Sequence, residues 1–242
     1  MSGKLRLSIV AAGSVLLLAI GFFTGVYWAS QRVPEFYSQA VQLDPVEAKA
    51  ASDELLAGAT ALASEARKEG QWSALFTSEQ INGWLAVDLP QNFPEVLPPE
   101  VIDPRVEITP RLATIGCRYD DGSVSTVISV AVELYLVEPN VVALRIHGIH
   151  AGAIPIPLSQ VLDGINEAAE QMKLQLRWTT TQGDPVALVT IPPAEGTEDV
   201  RYRLEALEMR EGELYVAGHT FKADKEQRVV ADQSGPKTTS QR

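Results

Sequence analysis

This sequence of 242 residues has little of what several common protein classes require. It contains a single cysteine, so it cannot close an internal disulfide, and a disulfide-stapled miniprotein is excluded. Basic side chains number 20 and acidic side chains 31, which gives a formal net charge of -11. A general nucleic-acid binder is not expected, because such proteins neutralise phosphates with clustered Lys and Arg.

The sequence also has none of the short motifs that are typical of catalysis. There is no glycine-rich phosphate loop, nucleophile elbow, His-Glu-x-x-His helix or calcium loop. His147 and His150 are three residues apart in a predicted strand, so we expect them to face opposite sides and not to share a metal. We therefore predict a protein that is not an enzyme, with no catalytic residue, metal site or cofactor.

One long uncharged run is present instead, from residue 7 to residue 28. A helix of 22 residues is about 33 Å long, enough to cross a bilayer core of about 30 Å. The alternative is a cleaved secretory signal, but the bulky Tyr27 and Trp28 stand where a cleavage site has small residues. Lys4 and Arg6 precede the run, so the positive-inside rule predicts a single-pass protein with a cytoplasmic N-terminus and an extracytoplasmic main domain.

Residues 31–104 are predicted to hold a helical segment followed by an extended strap. Asp44 before Pro45 is typical of a helix start, and Thr77 followed three residues later by Gln80 predicts a capping box. We expect helices over about 44–69 and 78–87. Five prolines in residues 88–104 then forbid regular structure, while the apolar residues among them need a surface to bury against.

From residue 105 to residue 222 the apolar pattern is mainly that of an antiparallel sheet. Two runs, 124–137 and 141–154, flank the turn at 138–140 and predict a long hairpin. An ion pair of Glu133 with Arg145 and the apolar alternation both favour one register. That register opposes Val130 and Gly148, Val132 and Ile146, Leu134 and Leu144, and Leu136 and Val142.

One helix interrupts the predicted sheet, beginning at Pro157 and carrying an apolar stripe to Met172. The predicted fold class is α+β: an N-terminal transmembrane helix, then one domain in which a long coiled antiparallel sheet packs on amphipathic helices. Residues 1–30 form the cytoplasmic start and anchor, residues 44–104 share one domain with 105–222, and residues 223–242 are expected to be a disordered tail.

Two segments resemble known bacterial families. Residues 76–82 read Phe-Thr-Ser-Glu-Gln-Ile-Asn, similar to the hydrophobic-Thr-x-x-x-Leu/Ile-Asn opening of YpmS-like membrane-anchored proteins and of YceB-like lipoproteins. Residues 154–158, Ile-Pro-Ile-Pro-Leu, resemble the proline-rich helix entry of the YpmS-like proteins. Both families are similar to the tubular lipid-binding (TULIP) superfamily. The resemblance, over residues 72–222, implies a coiled sheet around a helix with lipid held between them.

These observations predict a membrane-anchored extracytoplasmic domain that binds lipid or another apolar ligand in a trough between the long hairpin and the helix. The alternative for the trough is a filled core. The alternative function is a ligand-free, membrane-tethered scaffold that recruits a protein partner in the cell envelope. Expected partners are thus the membrane through residues 7–28, a lipid ligand or an envelope protein, and no nucleic acid. The predicted trough is lined by Val130, Val132, Leu134, Leu144, Ile146, Leu158, Val161, Leu162 and Ile165.

Overall fold

Antiparallel sheets with helices against them make up most of the computed structural model, which describes residues 24–25, 27–171, 174–191 and 200–222. Among these residues no helix is both long enough and apolar enough to cross a membrane. The predicted fold class is therefore corrected: the described chain is α+β, without the expected transmembrane helix. Most of the run 7–28 lies outside the described residues, as does the expected tail at 223–242.

Two helices, those that follow Asp44 and Thr77, begin where the sequence predicts their caps. The Asp44 carboxylate accepts hydrogen bonds from the amides of Val46 at 2.8 Å and Glu47 at 3.4 Å. Thr77 and Gln80 form the predicted capping box, with both bonds at 3.1 Å. The helices after residue 30 are α1 (Glu35–Val41), α2 (Pro45–Ala66), α3 (Ser78–Asn92) and α4 (Leu162–Gln171).

The strands form two sheets rather than the single sheet expected. The larger has the order β2-β3-β4-β5-β8-β7, with β6 paired to β5, and the smaller has the order β1-β10-β9. The strands are β1 (Gly70–Thr77), β2 (Val101–Ile108), β3 (Ala113–Asp120), β4 (Ser125–Glu138), β5 (Val141–Ala151), β6 (Ile154–Pro155), β7 (Gln175–Thr181), β8 (Asp184–Thr190), β9 (Val200–Arg210) and β10 (Glu213–Lys222). Strand β1 was not predicted, and β2 begins inside the predicted strap.

The hairpin of β4 and β5 has the predicted register near its turn. Val132 lies opposite Ile146, Leu134 opposite Leu144, and Leu136 opposite Val142. A β-bulge then shifts the pairing, so Val130 faces Ile149 and the expected pairing with Gly148 is wrong. Bulges add one residue to one strand and increase its local twist, which lets so long a ribbon bend.

The inserted helix is shorter than predicted. Residues Leu158–Gln160 form a single 3-10 turn, and α4 begins only at Leu162. Trp178 of β7 donates its indole N–H to the side chain of Asn166 at 2.9 Å, which ties α4 to the edge of the larger sheet. The helix therefore lies beside the end of the sheet and is not wrapped by it.

Side chains and turns join the smaller sheet to the larger one. The Asn140 side chain, at the tip of the β4–β5 hairpin, donates to the carbonyl of Tyr202 at 3.0 Å and accepts from the amide of Leu204 at 2.7 Å. The amide of Gly212, in the β9–β10 turn, donates to the carbonyl of Ile108 at 2.8 Å. The smaller sheet is thus anchored at both ends of β9.

Candidate apolar binding pocket

Six of the nine residues predicted to line the trough come together in one apolar cluster. Val132 and Ile146 are buried, and Val130, Leu134, Leu158 and Val161 pack against them. The other three, Leu144, Leu162 and Ile165, are half-buried, and the structure does not place them in this cluster. The sequence pattern thus identified six of the side chains that meet on this face of the sheet.

The protein's own side chains also occupy this cluster. Buried Ala113 and Ile149 complete its centre, and Trp178 and Met209 pack against it from β7 and β9. Because Met209 belongs to the smaller sheet, the two sheets share one core at this point. This arrangement matches the alternative of a filled core, and a ligand there would have to displace packed side chains.

An apolar pocket lies elsewhere, between the second half of α3 and the strap that joins α3 to β2. Its volume is about 310 Å³. That is within the range of about 300–1,000 Å³ typical of small-molecule sites. The lining residues, nearly all apolar, are Leu85, Ala86, Leu89, Pro90, Phe93, Pro94, Leu97, Pro98, Pro99, Val101, Ile102, Asp103 and Pro104. We call this cavity the strap pocket.

The prolines of the strap explain why this segment does not join a sheet. A proline has no amide hydrogen to donate, so a segment with Pro94, Pro98 and Pro99 cannot complete a strand ladder. Short turns hold its shape instead: the amide of Val96 bonds to the carbonyl of Phe93 at 3.1 Å, and that of Val101 bonds to Pro98 at 2.9 Å. An apolar wall therefore remains open to solvent.

Aromatic rings mark one side of the strap pocket. The rings of Trp84 and Phe93 have centroids 6.0 Å apart, and Phe93 is 49% exposed. The Leu89 side chain is buried where α3 meets the strap. An exposed aromatic side chain beside an apolar cavity is typical of a binding surface. A ligand that covers the ring removes apolar area from water, which makes binding favourable.

The floor of the strap pocket is fixed from below by α1. Asp103 has a positive φ of 51°, and its carbonyl accepts the Tyr37 hydroxyl at 2.9 Å while its carboxylate pairs with Arg118 at 3.1 Å. Arg105 is buried and donates to the carbonyls of Ala40 at 3.1 Å and Pro104 at 2.7 Å. The pairing of β2 with β3 is irregular between Ile102 and Arg105. The contacts of Asp103 and Arg105 hold this part of β2 in place, and with it the shape of the cavity.

Titration within this floor follows from burial. Burial raises the pKa of the Tyr37 hydroxyl, and the neighbouring Asp103 carboxylate raises it further. Burial lowers the pKa of the Arg105 guanidinium, although Asp103 opposes that effect. A tyrosine whose pKa is raised stays neutral at pH 7, and an arginine guanidinium stays charged there, so we assign both groups a structural role.

Because of the bulge in the hairpin, the two histidines do not lie on opposite faces as the sequence predicted. His150 pairs with Ser129 on the face that carries Glu133, and His147 bonds to Glu133 at 3.1 Å on that same face. The two histidines thus share a face, contrary to the prediction from simple alternation. No group of three potential metal ligands is found in the part of the chain that the structure describes.

The ion pair expected across the hairpin is shared between two carboxylates. Arg145 lies opposite Glu133 as predicted, with 3.9 Å between its guanidinium and the Glu133 carboxylate. Its guanidinium is closer to the carboxylate of Asp184 in β8, at 2.7 Å. The lone thiol is inert by its surroundings, since burial raises the pKa of Cys117 to about 11. Neither feature provides a reactive group.

A second cavity, of about 320 Å³, lies on the smaller sheet and is more polar. Trp72 at its base donates to the Thr220 hydroxyl at 2.9 Å, and that hydroxyl donates to the carbonyl of Ala66 at 2.8 Å. These bonds join the end of α2 to the sheet, so we assign Trp72 a structural role. The strap pocket is the stronger candidate for binding, because its walls are apolar and its floor is fixed.

Part of the strap was recognisable in the sequence, because Pro94, Pro98 and Pro99 interrupt regular structure there. The expectation that all five prolines of residues 88–104 do so is wrong, since Pro90 lies inside α3 and Pro104 inside β2. The partner of the strap was not recognisable. Only the structure shows that α3 continues through Pro90 to Asn92 and so supplies the opposite wall of the pocket. No protein-family model, no curated protein and no solved structure matches this chain, so the resemblance to the YpmS-like and YceB-like families stays a prediction.

Proposed function

We propose that this chain is a non-catalytic binding domain that holds a compact apolar ligand in the strap pocket. The observation that carries the proposal is the apolar cavity of about 310 Å³ between α3 and the strap. This keeps the function expected from the sequence, the binding of lipid or another apolar molecule, but moves the site away from the hairpin trough.

The size of the cavity limits what it holds. A volume of 310 Å³ equals that of roughly ten water molecules at about 30 Å³ each. A ring system or a short length of chain fits such a space, whereas a whole membrane lipid does not. We therefore propose that the pocket takes one apolar group of its ligand and leaves the rest outside.

The test is to fill the pocket. Ala86 lines the cavity from α3, and Ala61 is exposed on α2, so Ala86→Phe and Ala61→Phe add the same ring to a helix inside and outside the site. We expect the full chain, purified without detergent, to bind the neutral apolar dye Nile red. Ala86→Phe should weaken that binding by at least about tenfold, which corresponds to about 1.4 kcal/mol.

Ala61→Phe should leave the dissociation constant of the dye unchanged, and thermal unfolding of both variants shows whether the fold is intact. The alternative of a ligand-free scaffold predicts no saturable dye binding by the wild-type chain. Dye binding that is equally strong in the wild type and in a folded Ala86→Phe variant would place the site elsewhere. Either result would overturn the proposal.

A further inference from the structure

The α3 and strap walls of the pocket carry charged side chains of one sign. Residues 69–104, which include the α3 and strap walls, contain six carboxylates and no Lys, Arg or His. Asp103 lines the cavity itself, and Glu95 and Glu100 lie in the strap between lining residues. Because basic side chains are absent from this segment, it carries a net negative charge beside the pocket.

Neighbouring elements do not reverse that sign. Asp120, at the end of β3, donates its amide to the Glu100 carbonyl at 2.9 Å and so adds another carboxylate beside the strap. Of the nearby cations, Arg118 pairs with Asp103, and buried Arg105 donates to backbone carbonyls of α1 and β2. Arg118 offsets one carboxylate, and among the residues that the structure describes no ion pair is found for Glu95 or Glu100.

We infer that the ligand of the strap pocket is an apolar cation: a compact hydrophobic body that carries an amine. This inference rests on the proposed function. The hydrophobic body fills the cavity, and the ammonium group remains at the rim beside the carboxylates. An apolar anion of the same shape would bring its charge toward like charges while losing water, so it should bind less well.

The test uses three ligands that share one rigid apolar body: 1-adamantanamine, 1-adamantanol and adamantane-1-carboxylate. Calorimetric titration of the full chain at pH 7 and low salt gives the three dissociation constants. We expect the ammonium to bind at least about tenfold more tightly than the carboxylate, with the alcohol between them. Raising the salt to about 0.5 M should narrow this ratio, because salt screens exposed charges.

Asp103→Asn tests whether the rim causes the preference. Asparagine tolerates the positive φ of 51° at this position, and the carbonyl that accepts the Tyr37 hydroxyl is kept. The ratio of ammonium to carboxylate affinity should fall at least about threefold. Glu138→Gln, at the exposed end of β4, removes one charge elsewhere and should leave the ratio unchanged. If Asp103→Asn fails to fold, the double substitution Glu95→Gln with Glu100→Gln makes the same test.

The outcomes separate the two proposals. If none of the three adamantanes binds and Nile red does not bind either, the proposed function fails and the inference fails with it. If the carboxylate binds as tightly as the ammonium, the binding function stands and the charge inference is overturned. An ammonium preference that the folded rim variants leave unaltered would also overturn it.

Discussion

Gly83 lies where α2 and α3 cross most closely. A Cβ added at this residue would be 2.6 Å from the carbonyl oxygen of Ala48 and 2.8 Å from the amide of Ser52. Both neighbours are backbone atoms of α2, which cannot move without shifting the helix. The crossing holds α3 in place, and α3 is one wall of the strap pocket. A single glycine thus supports the geometry of the site.

Substitution of this glycine should be costly. We expect Gly83→Ala to lower the free energy of unfolding by about 2 kcal/mol, since overpacking in a tight contact costs about 1–3 kcal/mol. The matched control is Gly58→Ala in α2, where the new Cβ meets only the Phe76 ring at 3.4 Å. That change should raise stability by about 0.5–1 kcal/mol, because glycine is a poor helix residue. Denaturant unfolding measures both. Equal effects in the two variants would contradict the close crossing.

At the level of elements, one turn residue forms the hydrogen bonds that attach the tip of the long hairpin to the smaller sheet. Asn140 has a positive φ of 64°, and its side chain bonds both to the carbonyl of Tyr202 and to the amide of Leu204. Asparagine is one of the few residues that adopts this conformation readily, and it also supplies a donor and an acceptor. In the described sheet β9 is an edge strand, so β10 is its one neighbouring strand. The Asn140 side chain therefore gives β9 hydrogen bonds that a second neighbouring strand would otherwise supply.

Replacing this side chain should loosen β9. Asn140→Gly keeps the backbone conformation but removes both hydrogen bonds, and we expect a loss of about 1–3 kcal/mol. Gln182→Gly is the matched control: its φ is 54° in the β7–β8 turn, and its side chain makes only an exposed contact with Arg145 at 3.2 Å. That variant should stay within about 0.5 kcal/mol of the wild type. Hydrogen exchange of the Leu204 amide should accelerate only in Asn140→Gly, and unchanged exchange there would refute the role given to Asn140.

In the whole molecule, contacts between residues far apart in the sequence hold the sheets together. Strand β1 pairs with β10 over residues 70–77 and 213–220, and Met209 of β9 packs into the core of the larger sheet. The two sheets share this core, and hydrogen bonds join them near both ends of β9. They should unfold together.

Two probes of one chain test this cooperativity. A variant that keeps Trp72 of the smaller sheet, with the other three tryptophans replaced by phenylalanine, reports on that sheet by fluorescence. Its midpoint in urea should coincide with the midpoint from far-ultraviolet circular dichroism, which reports on the whole backbone. The equivalent variant that keeps only Trp178 reports on the larger sheet and should give the same agreement. Midpoints that separate in the Trp72 variant would show that the smaller sheet unfolds independently.

Local signals in the sequence were sufficient for features whose causes are local. The caps at Asp44 and Thr77 and the register of the hairpin next to its turn were predicted correctly. A cap needs only the side chain and the amides within three residues, and a hairpin register near a short turn follows from alternation. The prediction failed at the bulge, because the alternation says nothing about where a strand admits an extra residue.

The sequence by itself determined the acidic charge, the starts of α2 and α3, the proline-rich middle of the strap and most of the apolar face of the long hairpin, because each depends on residues that are neighbours in the chain. Only the tertiary structure decided that β1 pairs with β10, that the hairpin face is covered by Trp178 and Met209, and that α3 and the strap flank an open pocket. Those features depend on contacts between distant segments, where side-chain volume and the available partners decide whether an apolar surface is filled or left open.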